Sequence, residues 1–161
     1  MRDERIEAIL GFDRVRKIIS DRCSTEYATT RTSEEEFSTN AKEIRRRLQL
    51  TDEMRLIVMF EESFPSNGYI DCVGFLEMLT NEGANIDLVS LGKLRTMLET
   101  LRKISIFFSN IKDGVYPYLK KMVSGIVLFP DVQHRIDTIL DKFGNVKDTA
   151  SDDLYDIRRK L

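Results

Sequence analysis

The chain has no tryptophan, three prolines, two cysteines and a single histidine among its 161 residues. Each shortage excludes something. A histidine-based zinc site needs more ligands than His134 supplies, and His134 lies beside the apolar positions of its helix, so it reads as a solvated or half-buried side chain. Cys23 and Cys72 sit among apolar residues on apparent helices and read as buried, reduced thiols. No run of about 18 apolar residues exists, so no segment is expected to span a membrane. Met1-Arg2-Asp3-Glu4-Arg5 leads into no long apolar stretch, so no signal peptide is visible and a cytoplasmic location is expected. Neither a Gly-x-x-x-x-Gly-Lys-Ser/Thr loop nor a Gly-x-Gly-x-x-Gly turn occurs, which leaves nucleotide without a cradle.

Strong charge of one sign is also missing. Twenty-five basic residues against 27 acidic ones leave a net charge of −2. A domain built to grip a phosphate backbone is clearly basic, so any nucleic-acid contact here is local or comes from parts outside this chain. The acidic clusters are Glu34-Glu35-Glu36, Glu61-Glu62 and Asp152-Asp153. Adjacent acids on a helix point to different sides and make poor metal pairs, so these read as solvated faces. The basic runs are Arg45-Arg46-Arg47, Lys120-Lys121 and Arg158-Arg159-Lys160. On a helix, three consecutive arginines spread over most of the circumference, one stem packing and the others facing water. No catalytic, cofactor-binding or metal-binding residue is assigned.

What is present is helical periodicity. Phe12, Val15, Ile18, Ile19 and Cys23 form one apolar stripe, with Gly11 a joint before it and Ser24-Thr25 a break after it. The polar stretch from Glu26 to Glu36 reads as a short helix or a loop. Asn40-Ala41-Lys42-Glu43 matches a capping box and opens a helix of about 20 residues on Ile44, Leu48, Thr51, Met54 and Val58. Phe64-Pro65-Ser66-Asn67-Gly68 is a turn cluster. Asp71 caps a helix with Cys72, Phe75, Leu76 and Leu79 expected inward, and Asp87 caps the best helix, Leu88 to Ile111. Its stripe of Leu91, Leu94, Leu98, Leu101, Ile104 and Phe108 puts Leu98 and Leu101 at the expected centre of the core. Lys112-Asp113-Gly114 turns the chain into a short helix from Tyr116 to about Gly125. Pro130 suits the first helical position of the next one, which carries Val132, Ile136, Ile139 and Leu140. Ile126-Val127-Leu128-Phe129 is the lone β-like run. These signals predict an all-α fold over 1–161, a single helical domain whose bundle has two long spine helices.

The last helix is different. Ser151 caps it, Asp152 and Asp153 suit its first turn, and Leu154, Ile157 and Leu161 repeat at helical spacing. No Gly, Asn or Pro closes it. A helix from about 151 that starts well and does not finish predicts a piece of a longer protein.

The order of short motifs resembles the N-terminal part of a MutS-family protein, closest to the second bacterial branch, MutS-two. Leu10-Gly11-Phe12-Asp13-Arg14-Val15-Arg16 followed by Cys23-Ser24-Thr25 is similar to that branch's opening. Leu50-Thr51-Asp52-Glu53 with Arg55 is similar to its second helix, and Leu98-Glu99-Thr100-Leu101-Arg102 to its third. Ile136-Asp137 and Ile139-Leu140-Asp141 come next. Phe143-Gly144-x-Val146-x-Asp148-x-Ala150-Ser151-x-x-Leu154-x-x-Ile157-Arg158 is the most specific match, and in the family it opens the long helix towards the clamp. Two positions depart: Val73 stands where an arginine is expected, and no glycine follows Ser24-Thr25. Phe75-Leu76-Glu77 copies the Phe-x-Glu of mismatch-reading members, but on a helix with Phe75 inward the match reads as chance.

The resemblance implies a non-catalytic segment of the helical core, or lever, region of a DNA-binding ATPase. Such a parent acts on branched DNA and recombination intermediates, or in some members on stalled ribosomes, and usually carries a C-terminal Smr nuclease domain. It implies that ATP and Mg belong to the parent and no cofactor to this piece. The implied partners are the clamp and ATPase of the same chain, branched DNA or a ribosome through the parent, and a second parent chain in a homodimer. The competing readings are a free-standing helical interaction module and, less favoured by the motifs, a small enzyme. Lacking a phosphate loop, the 161-residue chain should show no saturable ATP binding in calorimetry at micromolar affinity.

Overall fold

The computed structural model describes residues 4–160. Among these residues the protein is all-helical, with no strand or sheet, as the apolar period of 3.6 dictates. The helices are α1 (Glu4–Leu10), α2 (Phe12–Ser20), α3 (Glu26–Glu34), α4 (Ala41–Phe60), α5 (Val73–Met78), α6 (Leu88–Asn110), α7 (Pro117–Val123), α8 (Pro130–Ile139) and α9 (Asp152–Arg159). The two expected long helices are α4 and α6. Leu161, the end of the last apolar repeat, lies outside the described residues. None of the described helices is long and apolar enough to cross a membrane. The chain falls into two compact units, Met1–Phe64 with Asp113–Lys121, and Pro65–Lys112 with Met122–Leu161.

In the first unit, Gly11 in the left-handed region is the joint between α1 and α2. An ion pair ties the two helices. Arg16 Nη1 donates to Glu7 Oε2 at 2.8 Å and Nη2 to Glu7 Oε1 at 3.1 Å, with both residues buried. Arg16 Nη2 also reaches the Glu35 carbonyl beyond α3, at 2.7 Å, and the guanidinium lies over the Phe12 ring. The expected stripe on α2 is therefore only partly covered: Phe12 and Cys23 are half-buried, Phe12 against the Phe37 ring. Arg16 is buried while Val15, Ile18 and Ile19 are half exposed. The segment 26–36 resolves into helix α3, capped by Thr25, whose Oγ1 accepts the Ala28 N–H.

Helix α4 begins as its sequence demands, with Asn40 Oδ1 accepting the Lys42 and Glu43 amides. Only this half of the capping box forms. The Glu43 carboxylate turns to Arg46 and Arg47, which together lower its pKa to about 2. The Asn40 N–H donates to Ser38 Oγ instead. The buried face of α4 is not its apolar stripe either. Glu53 and Ile57 are buried, while Ile44, Leu48, Thr51 and Val58 are exposed. Glu53 is buried for a reason. Its two oxygens accept the Tyr118 N–H at 3.1 Å and the Leu119 N–H at 2.7 Å, satisfying amides at the start of α7 that no helical carbonyl can reach. The Tyr116 hydroxyl adds a bond to Glu61 Oε1.

In the second unit, Asp87 caps α6 by accepting the Val89 and Ser90 amides. The centre of α6 differs from the expected one. Thr100, Phe107 and Phe108 are buried, whereas Leu98 and Leu101 are half-buried. Thr100 Oγ1 lies 3.0 Å from the carbonyls of both Gly68 and Thr96, so one proton serves two acceptors. This contact needs a bare backbone at Gly68, where φ is +81° and an added Cβ would sit 2.4 Å from Thr100 Oγ1. In α5, Cys72 is buried at the cap and Phe75 and Leu79 are half-buried, but Leu76 is exposed, against expectation. Burial, and then Asp71, push the Cys72 thiol pKa up, as an inert buried cysteine requires. Among the described residues the β-like run Ile126–Phe129 forms no strand, and the Ile126 N–H donates to the Val123 carbonyl.

Gly68→Ala combines a left-handed backbone with a clash against a buried hydroxyl and should cost about 1–3 kcal/mol. In urea unfolding, Phe108→Ala should cost about 3–5 kcal/mol and clearly more than Leu98→Ala. Equal losses at Phe108 and Leu98 would contradict the observed placement of the α6 core.

Candidate functional site

The candidate site is the corner that leads α8 into α9, entirely within the second unit. Its base is apolar. Ile136 and Leu140 are buried at the end of α8, and the Leu140 N–H closes the helix onto the Ile136 carbonyl. The chain then reverses around Asp141. Oδ1 of Asp141 accepts the Phe143 and Asn145 amides, both at 2.8 Å, and its backbone N–H donates to the Asn145 carbonyl. Gly144, at φ +85°, supplies the left-handed step. The reversal pairs Leu140 with Val146 as an isolated bridge, and the Lys147 N–H donates to the Ile139 carbonyl at 2.8 Å. Backbone donors, that of Asn145 foremost, hold the Asp141 carboxyl below its ordinary pKa.

Helix α6 grips this corner through Arg95. Its Nε pairs with Asp137 Oδ1 at 2.7 Å, and its Nη1 donates to the Asp141 carbonyl at 2.7 Å. Farther along, Gln133 Nε2 donates to Glu99 Oε2 at 2.9 Å. Lys147 Nζ returns to the Asp137 carbonyl from the far side of the turn. One guanidinium thus fixes the exit of α8 to the longest helix. Sequence reasoning did not single out Arg95. It lies next to Leu94 of the stripe, and only the fold shows what it meets.

Helix α9 leaves the corner with its first turn satisfied. Ser151 Oγ accepts the Leu154 N–H at 3.2 Å, Asp152 and Asp153 occupy the positive end, and Arg158 and Arg159 the negative end. Arg158 reaches back to Asp148. No residue of α9 is buried. Leu154 is half-buried, and Ile157 is exposed.

The remaining sequence candidates do not gather at this corner. His134 is exposed on α8. Arg46 and Arg47 are held by Glu43, Arg47 also by Glu35, and Lys120 by Asp113. Much of the basic charge that could meet phosphate is therefore already paired with acids of the same chain. Among the described residues, no group of three or more His, Cys, Asp or Glu side chains could hold a metal ion.

The motif that opens α9 was the most specific part of the resemblance read from the sequence. Comparison with known proteins agrees with it. The chain is similar over nearly its whole length to MutS2 endonucleases. It is 26% identical to Endonuclease MutS2 of Listeria innocua over 161 residues, which is 99% of this chain and 20% of that protein. It is 24% identical to Endonuclease MutS2 of Clostridium perfringens over 162 residues and 22% identical to that of Alkaliphilus oremlandii over 160. In each case the chain spans 20% of the MutS2 protein's length. No family model matches the chain.

The Asp141 carboxyl supports the turn as long as it is ionised. Because its folded pKa is lowered, this support is full above the unfolded value of about 3.9 and is lost as pH falls through the folded value. Acid titration followed by amide hydrogen exchange should therefore loosen Phe143 and Asn145 at low pH, with no such change between neutrality and pH of about 5. Gly144→Ala should cost about 1 kcal/mol or more through the left-handed backbone and speed exchange at Asn145 and Lys147.

Proposed function

We propose that this chain is the first, N-terminal portion of the helical core, or lever, region of a MutS2-type protein acting in the cytoplasm. The observation that carries this reading is similarity to MutS2 endonucleases along 99% of the chain rather than over one motif. In this reading the segment performs no chemistry. ATP with Mg, the clamp and any nuclease belong to other parts of the parent, which acts on branched DNA or recombination intermediates as a homodimer.

The role of the segment is mechanical. Rigid helices transmit a change when they move as rods, and hinges sit where elements end. The α8–α9 corner is stiffened by Arg95, Asp141 and the Leu140–Val146 pair, and α9 leaves it with no buried residue of its own. A displacement of α6 would be passed to the start of α9 through the Arg95 contacts. Nucleotide state and clamp position are the two ends this linkage would couple.

Direct DNA binding by the segment should be weak. The net charge of −2 offers little counterion release, and several arginines are occupied by glutamates and aspartates. A gel-shift titration of the chain against branched DNA at physiological salt should show no submicromolar complex. Submicromolar binding would make the segment a DNA reader and end its assignment as a passive transmitter. In a longer MutS2-type protein carrying this segment, Arg95→Ala should leave basal ATP hydrolysis intact and reduce its response to branched DNA. An unchanged response would place the coupling elsewhere.

A further inference from the structure

Residues Asp113–Lys121 belong to the first unit, while the chain on either side of them belongs to the second. The chain thus crosses between units at 64/65, 112/113 and 121/122, and two of those crossings are the ends of this one segment. What holds the segment to the first unit is largely polar. Leu119 is its one buried residue. Glu53, on the buried side of α4, accepts the Tyr118 and Leu119 amides. The Tyr116 hydroxyl donates to Oε1 of Glu61, the residue that follows the last turn of α4. Lys120 pairs within the segment, with Asp113.

The segment also carries strain that works against its docking. Tyr116 has φ +50° and is the one residue other than glycine, among those described, in the left-handed region. A side chain with a Cβ rarely sits there, and it stays only where its surroundings enforce it. The enforcing contacts are Glu61 at the Tyr116 hydroxyl and Glu53 two residues further on. Pro117 opens α7 without an amide of its own, so the next two amides are the ones Glu53 takes. Undocking would relax Tyr116. It would also let water reach Glu53 and both amides in the same step, so that no charge stays buried without a partner. Internal strain, one buried side chain and polar holders are the features of a piece that opens below the free energy of global unfolding.

We propose that Asp113–Lys121 is a strap that docks on α4 and opens as a unit while the rest of the protein stays folded. Glu53 is its catch and Tyr116 its spring. Open, the strap leaves 64/65 as the single crossing between units. The inference stands on this geometry and is independent of the proposed lever role.

Native-state amide hydrogen exchange of the chain, followed by NMR at low urea concentrations, tests it. The Tyr118, Leu119 and Lys120 amides should exchange together, about tenfold or more faster than those of Ile57 and Phe108. Their rates should also depend less on urea, because opening the strap exposes little surface. Strap amides that match Ile57 in rate and in urea dependence would overturn the proposal, since the segment would then open only with its whole unit. Glu53→Gln keeps the side chain's shape but offers one acceptor where two are used. It should speed the three strap amides by about tenfold while Ile57 and Phe108 remain the slower pair. Unchanged strap rates would remove Glu53 as the catch. Tyr116→Gly and Tyr116→Ala both lose the hydroxyl, and only glycine accepts φ +50° without strain. Strap exchange should be several-fold slower in Tyr116→Gly than in Tyr116→Ala. Equal rates, or the reverse order, would remove Tyr116 as the spring. This pair and the unmodified chain decide the matter even where Glu53→Gln fails to fold.

Discussion

A polar group removed from water must find a partner, and that requirement sets the geometry of this protein more than its apolar contacts do. Glu7, Arg16, Glu53 and Thr100 are buried. Glu7 and Arg16 hold α1 against α2, Glu53 holds the start of α7 to α4, and Thr100 holds the Gly68 turn to α6. Each contact has directional demands that aliphatic packing lacks, so each admits one arrangement of its two elements. Breaking one partner would leave an uncompensated buried group, which is costlier than losing an apolar contact of the same size.

These anchors also decide which faces remain open. Helix α4 has a buried side only as wide as Glu53 and Ile57, and α2 is fixed by an arginine. Their aliphatic residues are left at the surface. For a self-sufficient domain this would be a liability. The chain matches a fifth of the length of the MutS2 proteins it resembles, and under the proposed function such faces would meet other parts of the parent. The same logic applies to α9, whose cap and charges are complete while its apolar residues stay half-buried or exposed.

The α8–α9 corner combines the two themes. Its interior is apolar at Ile136 and Leu140, yet its shape is set by Asp141 and by the Arg95 fork from α6. Gly144 is needed because the reversal passes through the left-handed region. The motif at this corner was legible in the sequence because turns and caps are local: Gly144 and Ser151 announce themselves within a few residues. Arg95 was not legible, since it is 46 residues from the carbonyl it holds.

The sequence by itself determined the helices. Periodicity, Asn40, Asp87, Ser151 and Pro130 placed the starts of α4, α6, α8 and α9 within a residue or so of those observed, because capping and period are short-range effects. Only the tertiary structure decided which side of each helix faces inward. The stripe on α4 is real but outward, and the centre of α6 lies at Thr100, Phe107 and Phe108 rather than at Leu98 and Leu101. Apolar period identifies residues that share a face. It does not say whether that face meets the rest of this chain, because burial also depends on long-range partners such as Glu53 with Leu119 and Thr100 with Gly68.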